Sequence, residues 1–558
     1  MSPVPVLPPA LPGGDTSDIL ILGALVLDGS GGEPYVADVL LQAGRITAIA
    51  ARAPASGARL DAPGARRIHA DGLALAPGFI DMHAHSDLAV LTDREHLTRT
   101  LQGVTTEVIG QDGLSYAPVT DATMAGVRDR IAGWNGVPAE LDFGWRSVAE
   151  YLAEIDRRGS ATNVAYLLPQ GTIRMNVIGT ASRAATSAEL QAMREQVDQG
   201  MREGAFGMSS GLTYVPGMFA DTEELVALCE VVTAHGGYYS PHQRSYGAGA
   251  LEAYREVLEI GERSGCPVHL THATMNFPEN RGRAGELLEL VDRALERGAD
   301  VTLDSYPYLP GSTTLAALLP SWVTTGDLED TLEMLAEPDR RARIAQVMEV
   351  EGSDGHHGVP IDWNTVEIAG VRDPALAGRV GRTIAQIART EQRAPAEVFC
   401  DLLIQDRLAV SILHHVGDET NVRTIMRHQR HMGGSDGLLV GDKPHPRGAG
   451  TFARYLGRYV REEQVLSLPE AIVHLSALPA RRLGLHDRGR IAVGAIADLV
   501  LFDPDTVDER ATFAQPRLPP AGIEHVLSRG VPVVEAGDRT DALAGRALRG
   551  RGHRPPHA

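Results

Sequence analysis

A (β/α)8 TIM barrel, carrying a small β-sandwich made from both chain ends and a small insertion, is the fold class that the sequence predicts. Three observations carry it. The long middle of the chain alternates apolar, strand-like runs with amphipathic helical stretches, the pattern of βα units around a parallel sheet. Both ends are instead rich in short β runs separated by glycine turns. Histidines and aspartates gather just after the strand-like runs, at the carboxyl-terminal ends where parallel barrels keep their chemistry.

Taken in order, residues 1–17 are rich in proline and lack the basic and apolar regions of a signal peptide, so they are expected to form a flexible leader. Runs at 19–22, 36–41 and 46–49 alternate with turns such as Gly29-Ser30-Gly31-Gly32, and similar runs return at 499–502 and 526–534. Residues 18–75 and 480–545 are therefore expected to pair as one sandwich. Between them, residues 76–479 form the barrel, with candidate strands at 78–82, 105–109, 163–168, 206–209, 238–240, 268–270, 301–303, 409–413 and 431–435. Residues 325–381 break the rhythm with charged helical sequence and a Gly/His turn at 353–358, and are expected to be an insertion. Residues 546–558 are expected to be a flexible tail.

Composition narrows the function. The 558 residues carry a formal charge of -20, which repels nucleic acid and anionic membrane surfaces at long range. No stretch reaches the roughly 18 uninterrupted apolar residues of a spanning helix. Only Cys229, Cys266 and Cys400 occur, too few and too odd for a disulfide framework, so a reducing cytoplasm is expected. Lys443 is the sole lysine.

The strongest motif is Pro77-Gly78-Phe79-Ile80-Asp81-Met82-His83-Ala84-His85. In a strand, residues two apart face one side, so His83 and His85 can converge on one metal, and a pair of neutral imidazoles suits zinc. A lone His-x-His is weak; one that follows an apolar strand and a Pro-Gly turn is strong. His242, His272 and Asp436 also follow strand-like runs, which lets separate strands build one metal cage. Taken singly, each such histidine is more often a satisfied structural residue than a ligand; jointly, with every one at a strand end, they read as ligands.

At these residues the chain resembles the N-acyl-D-amino-acid deacylases, or D-aminoacylases, of the amidohydrolase superfamily. The resemblance runs from Gly78-Phe79-Ile80-Asp81 through Ser209-Ser210-Gly211-Leu212-x-Tyr214-x-Pro216-Gly217, Asp304-x-Tyr306-Pro307-Tyr308 and Ser435-Asp436-Gly437 to Pro444-His445-Pro446-Arg447. It ends in Gly489-Arg490-Ile491-x-x-Gly494-x-x-Ala497-Asp498-Leu499-Val500. It implies a barrel, a sandwich from both ends and a small insertion. It also implies one or two zinc ions held by His83, His85, His242 and His272, with Asp436 as general base and further metal contact. The implied substrate is a small N-acylated amino acid.

Two positions depart from the family. Its cysteine ligand after the second strand is replaced by Asp112, which either binds or bridges metal or is a turn residue before Gly113. Its substrate-binding lysine, two residues beyond the histidine matching His272, is Thr274. Arg447 and Tyr214 match positions that hold the substrate carboxylate, although Arg447 could instead lie on the surface of a Pro-rich loop. Tyr306, Ser312 and Arg244 are the other candidate substrate contacts. Competing readings are a cyclic-amide hydrolase, which would bridge its metals with a carboxylated lysine that no barrel strand here offers, and a non-catalytic scaffold, which would be expected to lose ligands.

Overall fold

The computed structural model describes residues 17–52 and 60–555. The expected flexible leader falls almost wholly outside them.

Eight short strands make the barrel: Phe79–Asp81, Val104–Ile109, Asn163–Pro169, Gly207–Gly211, Tyr238–His242, Val268–Leu270, Val301–Ser305 and His431–Gly433. Neighbours run parallel in that order. Every residue of these strands is buried, as expected when helices cover one face of a sheet and packed side chains fill the other. The first and last strands meet where Met82 N donates to Gly433 O at 3.2 Å and Asp436 N donates to His83 O at 2.7 Å. Those two bonds set His83 beside Asp436.

Strands from both chain ends join in one nine-stranded sheet. Ala74–Pro77 lies at its seam, parallel to Ile19–Val26 and antiparallel to Leu499–Phe502. Gly78 N then donates to Asp498 O at 2.8 Å, so the outer sheet fixes the point from which the first barrel strand departs.

A third sheet corrects two expectations. Gly311–Thr314, Ser411–His414 and Val366–Gly370 form an antiparallel layer, with Ser411–His414 in the middle. Residues 409–413 are thus no barrel strand: Ile412 and Leu413 are buried in the insertion rather than in the barrel, and an apolar run reads alike in either place. The inserted layer reaches from Gly311 to His414, well beyond 325–381, because it takes a strand from each side of that segment. It has its own core around Leu315, Met348, Trp363 and Phe399.

The expected flexible tail is also corrected, for residues 546–555. Val164 N donates to Arg546 O at 2.9 Å and Leu548 N to Val164 O at 2.7 Å, so this segment runs along the third barrel strand. Residues 556–558 lie outside the described residues. No helix among the described residues is long and apolar enough to cross a membrane.

Candidate metal centre and substrate cavity

His83 and His85 stand just past the first barrel strand and His242 ends the fifth. His272 lies two residues beyond the sixth strand and Asp436 three beyond the last. Three of the loop positions have left-handed backbone: Asp112 at φ 54°, His272 at φ 31° and Asp436 at φ 48°. Such conformations cost of order 1–3 kcal/mol each and persist where surrounding structure imposes them. The imposing contacts are visible. Asp81 Oδ1 accepts from His83 N at 3.2 Å and Ser435 N at 2.8 Å, tying the first and last loops together. Asp304 Oδ1 accepts from His272 N at 2.8 Å.

Asp112 reaches the centre through a tight turn. Gly110 and Gly113 have φ of 79° and 72°, and a Cβ on them would come within 2.3 Å of Leu167 O and 2.4 Å of Gly211 N, so only glycine fits either place. The Asp112 carboxylate then stands between two imidazole pairs. Oδ1 and Oδ2 lie 3.6 Å from His83 Nε2 and 3.5 Å from His85 Nε2 on one side, and 3.5 Å from His272 Nε2 and 3.6 Å from His242 Nδ1 on the other. Asp436 Oδ1 completes the first group, 3.2 Å from His85 Nε2.

These donors fit metal. The ligand atoms of His83, His85, Asp112 and Asp436 lie within 4.8 Å of one another, as do those of Asp112, His242 and His272. Asp112 Oδ1 is buried without a hydrogen-bond donor, a state that a cation relieves. Four imidazoles with a shared carboxylate suit zinc, in one or two positions. The outer nitrogens are oriented as metal-binding histidines require: His242 Nε2 meets Thr213 Oγ1 at 2.8 Å, and His272 Nδ1 meets the Tyr246 hydroxyl at 2.8 Å.

The charges favour capture of a cation. Burial disfavours charge on Asp112 and Asp436, yet the neighbouring histidines, and for Asp436 above all Arg447, hold both carboxyls well below the usual carboxylate range. Burial also opposes charge on His85, but the hydrogen bonds and charges of Asp112 and Asp436 outweigh it and raise its pKa to about 10. His83, where burial outweighs the charges of Asp112, Asp436 and Asp304 and no such hydrogen bonds add to them, falls to about 4. A metal ion takes the place of the proton that His85 holds.

Arg447 is no surface residue. It is fully buried at the start of the helix Arg447–Arg454, with Nη1 2.9 Å from Asp436 Oδ2 and Nη2 donating to Ser312 O at 3.2 Å. Its guanidinium lies 4.4 Å over the Tyr306 ring. Tyr306 and Ser312, the groups it touches, line with Tyr214 and Thr274 a cavity of about 90 Å³ that also reaches His85, Asp112 and Asp436. Thr274 keeps its hydroxyl on Asn276 Oδ1 at 2.8 Å.

Arg244 does not join them. Its guanidinium binds both oxygens of Glu256 and donates to the carbonyls of Met218 and Ala220, and it does not line the cavity. Sequence reasoning also missed Thr213, Tyr246, Trp134, His357 and His414 in the cavity wall. His357 lies in the turn at 353–358 that interrupts the helical rhythm, and its Nδ1 is buried without a partner. Tyr246 follows His242 by four residues, a spacing with no meaning in a loop.

Comparison with known proteins agrees with this geometry. The profile of the amidohydrolase family matches residues 66–534. The chain is 36% identical to an N-acyl-D-glutamate deacylase of Alcaligenes xylosoxydans xylosoxydans over 92% of this chain and 93% of that one. It is 33% identical to a D-aminoacylase of the same organism over 95% and 97% of the two chains. Among solved structures, an N-acyl-D-glutamate deacylase from Bordetella bronchiseptica, complexed with zinc and a phosphonate inhibitor that mimics the tetrahedral intermediate, superposes with a TM-score of 0.79. The identity is 32%, over 96% of this chain and 100% of that one.

Proposed function

The chain belongs to the amidohydrolase family, and from that membership we propose that it is a zinc-dependent hydrolase of N-acyl-D-amino acids, releasing a carboxylate and a free amine. The observation that carries the reading is the single Asp112 carboxylate between two imidazole pairs, next to a second carboxylate that is ion-paired to a buried arginine. Such a set can hold cations, move a proton and bind an anionic substrate within one cavity.

His83, His85, Asp112, His242, His272 and Asp436 would hold one or two zinc ions. When bound, zinc lowers the pKa of its water toward about 7 and polarises the scissile carbonyl. The remaining steps belong to the chain's own groups. Asp436 Oδ1 faces the imidazoles and takes the proton of the attacking water, then returns it to the departing amine. Arg447 keeps Asp436 ionised for that first step. With Tyr306 and Tyr214 it also offers cationic and hydroxyl partners to the α-carboxylate. Thr213 and Tyr246 fix the ring orientation of His242 and His272.

A cyclic-amide hydrolase is disfavoured, because Lys443 is 2.6 Å from Glu367 of the inserted layer and does not line the metal-facing cavity. A scaffold role is disfavoured by the intact ligand set. Cys229, Cys266 and Cys400 are free and buried, which suits the reducing cytoplasm in which we place the enzyme.

A hydrolysis screen of N-acetyl-D- and N-acetyl-L-amino acids on zinc-loaded protein tests the reading. Amine release from D substrates is expected. Release confined to L substrates, or from cyclic amides alone, would overturn it.

A further inference from the structure

A second cavity of about 470 Å³ lies beside the metal-facing one, between the helix Asp121–Arg130 and the inserted layer. The two share Trp134, Thr213, Tyr214 and Ala317 as wall residues. These walls belong to the metal side: Trp134 lies 5.2 Å from the His85 ring and Tyr214 lies 4.8 Å from that of His242.

The contents of the two cavities differ in kind. The metal-facing one, about 90 Å³, is lined by the polar groups of His85, Asp112, His242, His272 and Asp436, which suit the scissile amide and the carboxylate rather than an aliphatic chain. The second is ligand-sized and lined by Leu114, Ile131, Met175, Val215, Met218 and Leu319. Arg130, half-buried in its wall, donates to Gly326 O at 2.7 Å and Thr324 O at 3.4 Å, which staples the inserted layer to the helix, and Asp129 and Asp327 beside it in the same wall answer its charge. Of the expected carboxylate contacts, Tyr214 stands in the wall that the two cavities share, whereas Tyr306, over which the Arg447 guanidinium lies, and Ser312, which Arg447 holds, line the metal-facing cavity alone. A ligand group filling this space is therefore apolar, larger than an acetyl group, and attached on the carbonyl side of the amide.

We propose that the second cavity is an acyl-chain subsite and that the favoured substrates are N-acyl-D-amino acids bearing medium- or long-chain aliphatic acyl groups. The proposal rests on the deacylase reading and deepens it.

The test has one arm that needs turnover and one that does not. In the first, kcat/KM is measured for the N-acetyl, N-butanoyl, N-hexanoyl and N-octanoyl derivatives of one D-amino acid. Burying a methylene is worth roughly fourfold in affinity. The octanoyl compound should therefore exceed the acetyl compound by at least about a hundredfold, with most of the gain in KM. Gly126 is on the helix bordering the cavity, and a Cβ there would meet nothing nearer than Met175 Sδ at 3.5 Å. Gly126→Phe places a ring in the cavity and should bring the octanoyl-to-acetyl ratio toward one.

In the second arm, sodium octanoate is titrated calorimetrically into zinc-loaded protein. Wild type should bind it, and Gly126→Phe should bind at least tenfold more weakly. A flat chain-length series with active N-acetyl substrates overturns the subsite and leaves the deacylase reading standing. A preference for bulky D side chains that Gly126→Phe erases, without a chain-length effect, gives the cavity to the amino acid and also overturns the proposal. If no acyl derivative is hydrolysed the deacylase reading falls, and the octanoate titration alone decides the cavity: binding that Gly126→Phe weakens upholds an aliphatic-chain site, and no binding removes it.

Discussion

Arg447 Nη1 lies 2.9 Å from Asp436 Oδ2, and the guanidinium is fully buried. One buried cation thus pairs with the proposed base and packs behind Tyr306 and Ser312, which line the cavity that would receive a substrate carboxylate. Arg447→Ala should raise KM for N-acyl amino acids roughly tenfold to a hundredfold, the worth of one charge-assisted hydrogen bond. It should affect neutral amide or ester analogues much less. Arg447 is also the strongest of the charges holding Asp436 ionised. Its removal should move the acidic limb of the kcat/KM profile to higher pH. Equal losses on acids and neutral analogues, with the limb unmoved, would make Arg447 purely structural.

Asp436→Asn keeps the size of the side chain and removes the proton acceptor. Turnover should fall at least about a hundredfold, the lower end of what general base catalysis supplies. Elemental analysis should still find zinc, held by the four histidines and Asp112. Near-normal turnover would assign the base elsewhere.

Asp112 touches both imidazole groups, so its loss should be felt as metal content. Asp112→Ala should lose at least one bound ion by elemental analysis. Asp112→Cys should keep metal but shift preference toward softer, thiophilic ions. If Asp112→Ala binds zinc like wild type, Asp112 is a turn residue only.

Proton linkage gives a fourth expectation. His85, raised to about 10, is protonated in the metal-free site at pH 7, and the charge of Asp112 raises His272 as well. Zinc binding should then release at least about one proton, measured calorimetrically in buffers of different ionisation enthalpy. His85 has a folded pKa above its ordinary 6.5, so its contribution to stability is complete below about 6.5 and is lost as pH rises toward about 10. Metal-free protein should lose Tm across that window, and zinc-loaded protein should not. Zero proton release would contradict the charge state.

Thr274 sits in the cavity wall, at the position where the family resemblance implies a substrate-binding lysine. Thr274→Lys should lower KM for free-acid substrates by roughly tenfold, because an ammonium there adds a second charge-assisted hydrogen bond to the carboxylate. No change on acids would mean that Arg447 already saturates the carboxylate.

The parts of the site that follow strand periodicity were legible. His83 and His85 share a face because side chains alternate, and His242 and His272 lie at or just past the strand ends where an apolar run stops. Asp112 stayed ambiguous because an Asp-Gly pair is the same in sequence whether it turns the chain or binds a metal; only the approach of Leu167 O and Gly211 N explains its glycines. Arg244 was misread because its nearness to His242 in sequence says nothing of Glu256, twelve residues on, which captures it. Residues 409–413 have the composition of a buried strand, and most of them fall in one, Ser411–His414, in another sheet. The segment 546–550 is held by backbone hydrogen bonds, and Arg-Gly-Ala composition carries no trace of those.

The seam between Ala74–Pro77 and Leu499–Phe502 joins positions that are far apart in the order of synthesis. Leu499 pairs with Pro77, 422 positions earlier. At about 5–20 residues per second, roughly 20–80 s separate their emergence from the ribosome. Throughout that interval the edge of Ala74–Pro77 away from Ile19–Val26 has no native partner, and for most of it Phe79–Asp81 awaits His431–Gly433 to close the barrel. An exposed strand edge invites pairing with other chains. Yield of active protein should therefore depend on translation speed and on chaperones that shield nascent β edges, more than on the stability of the finished fold.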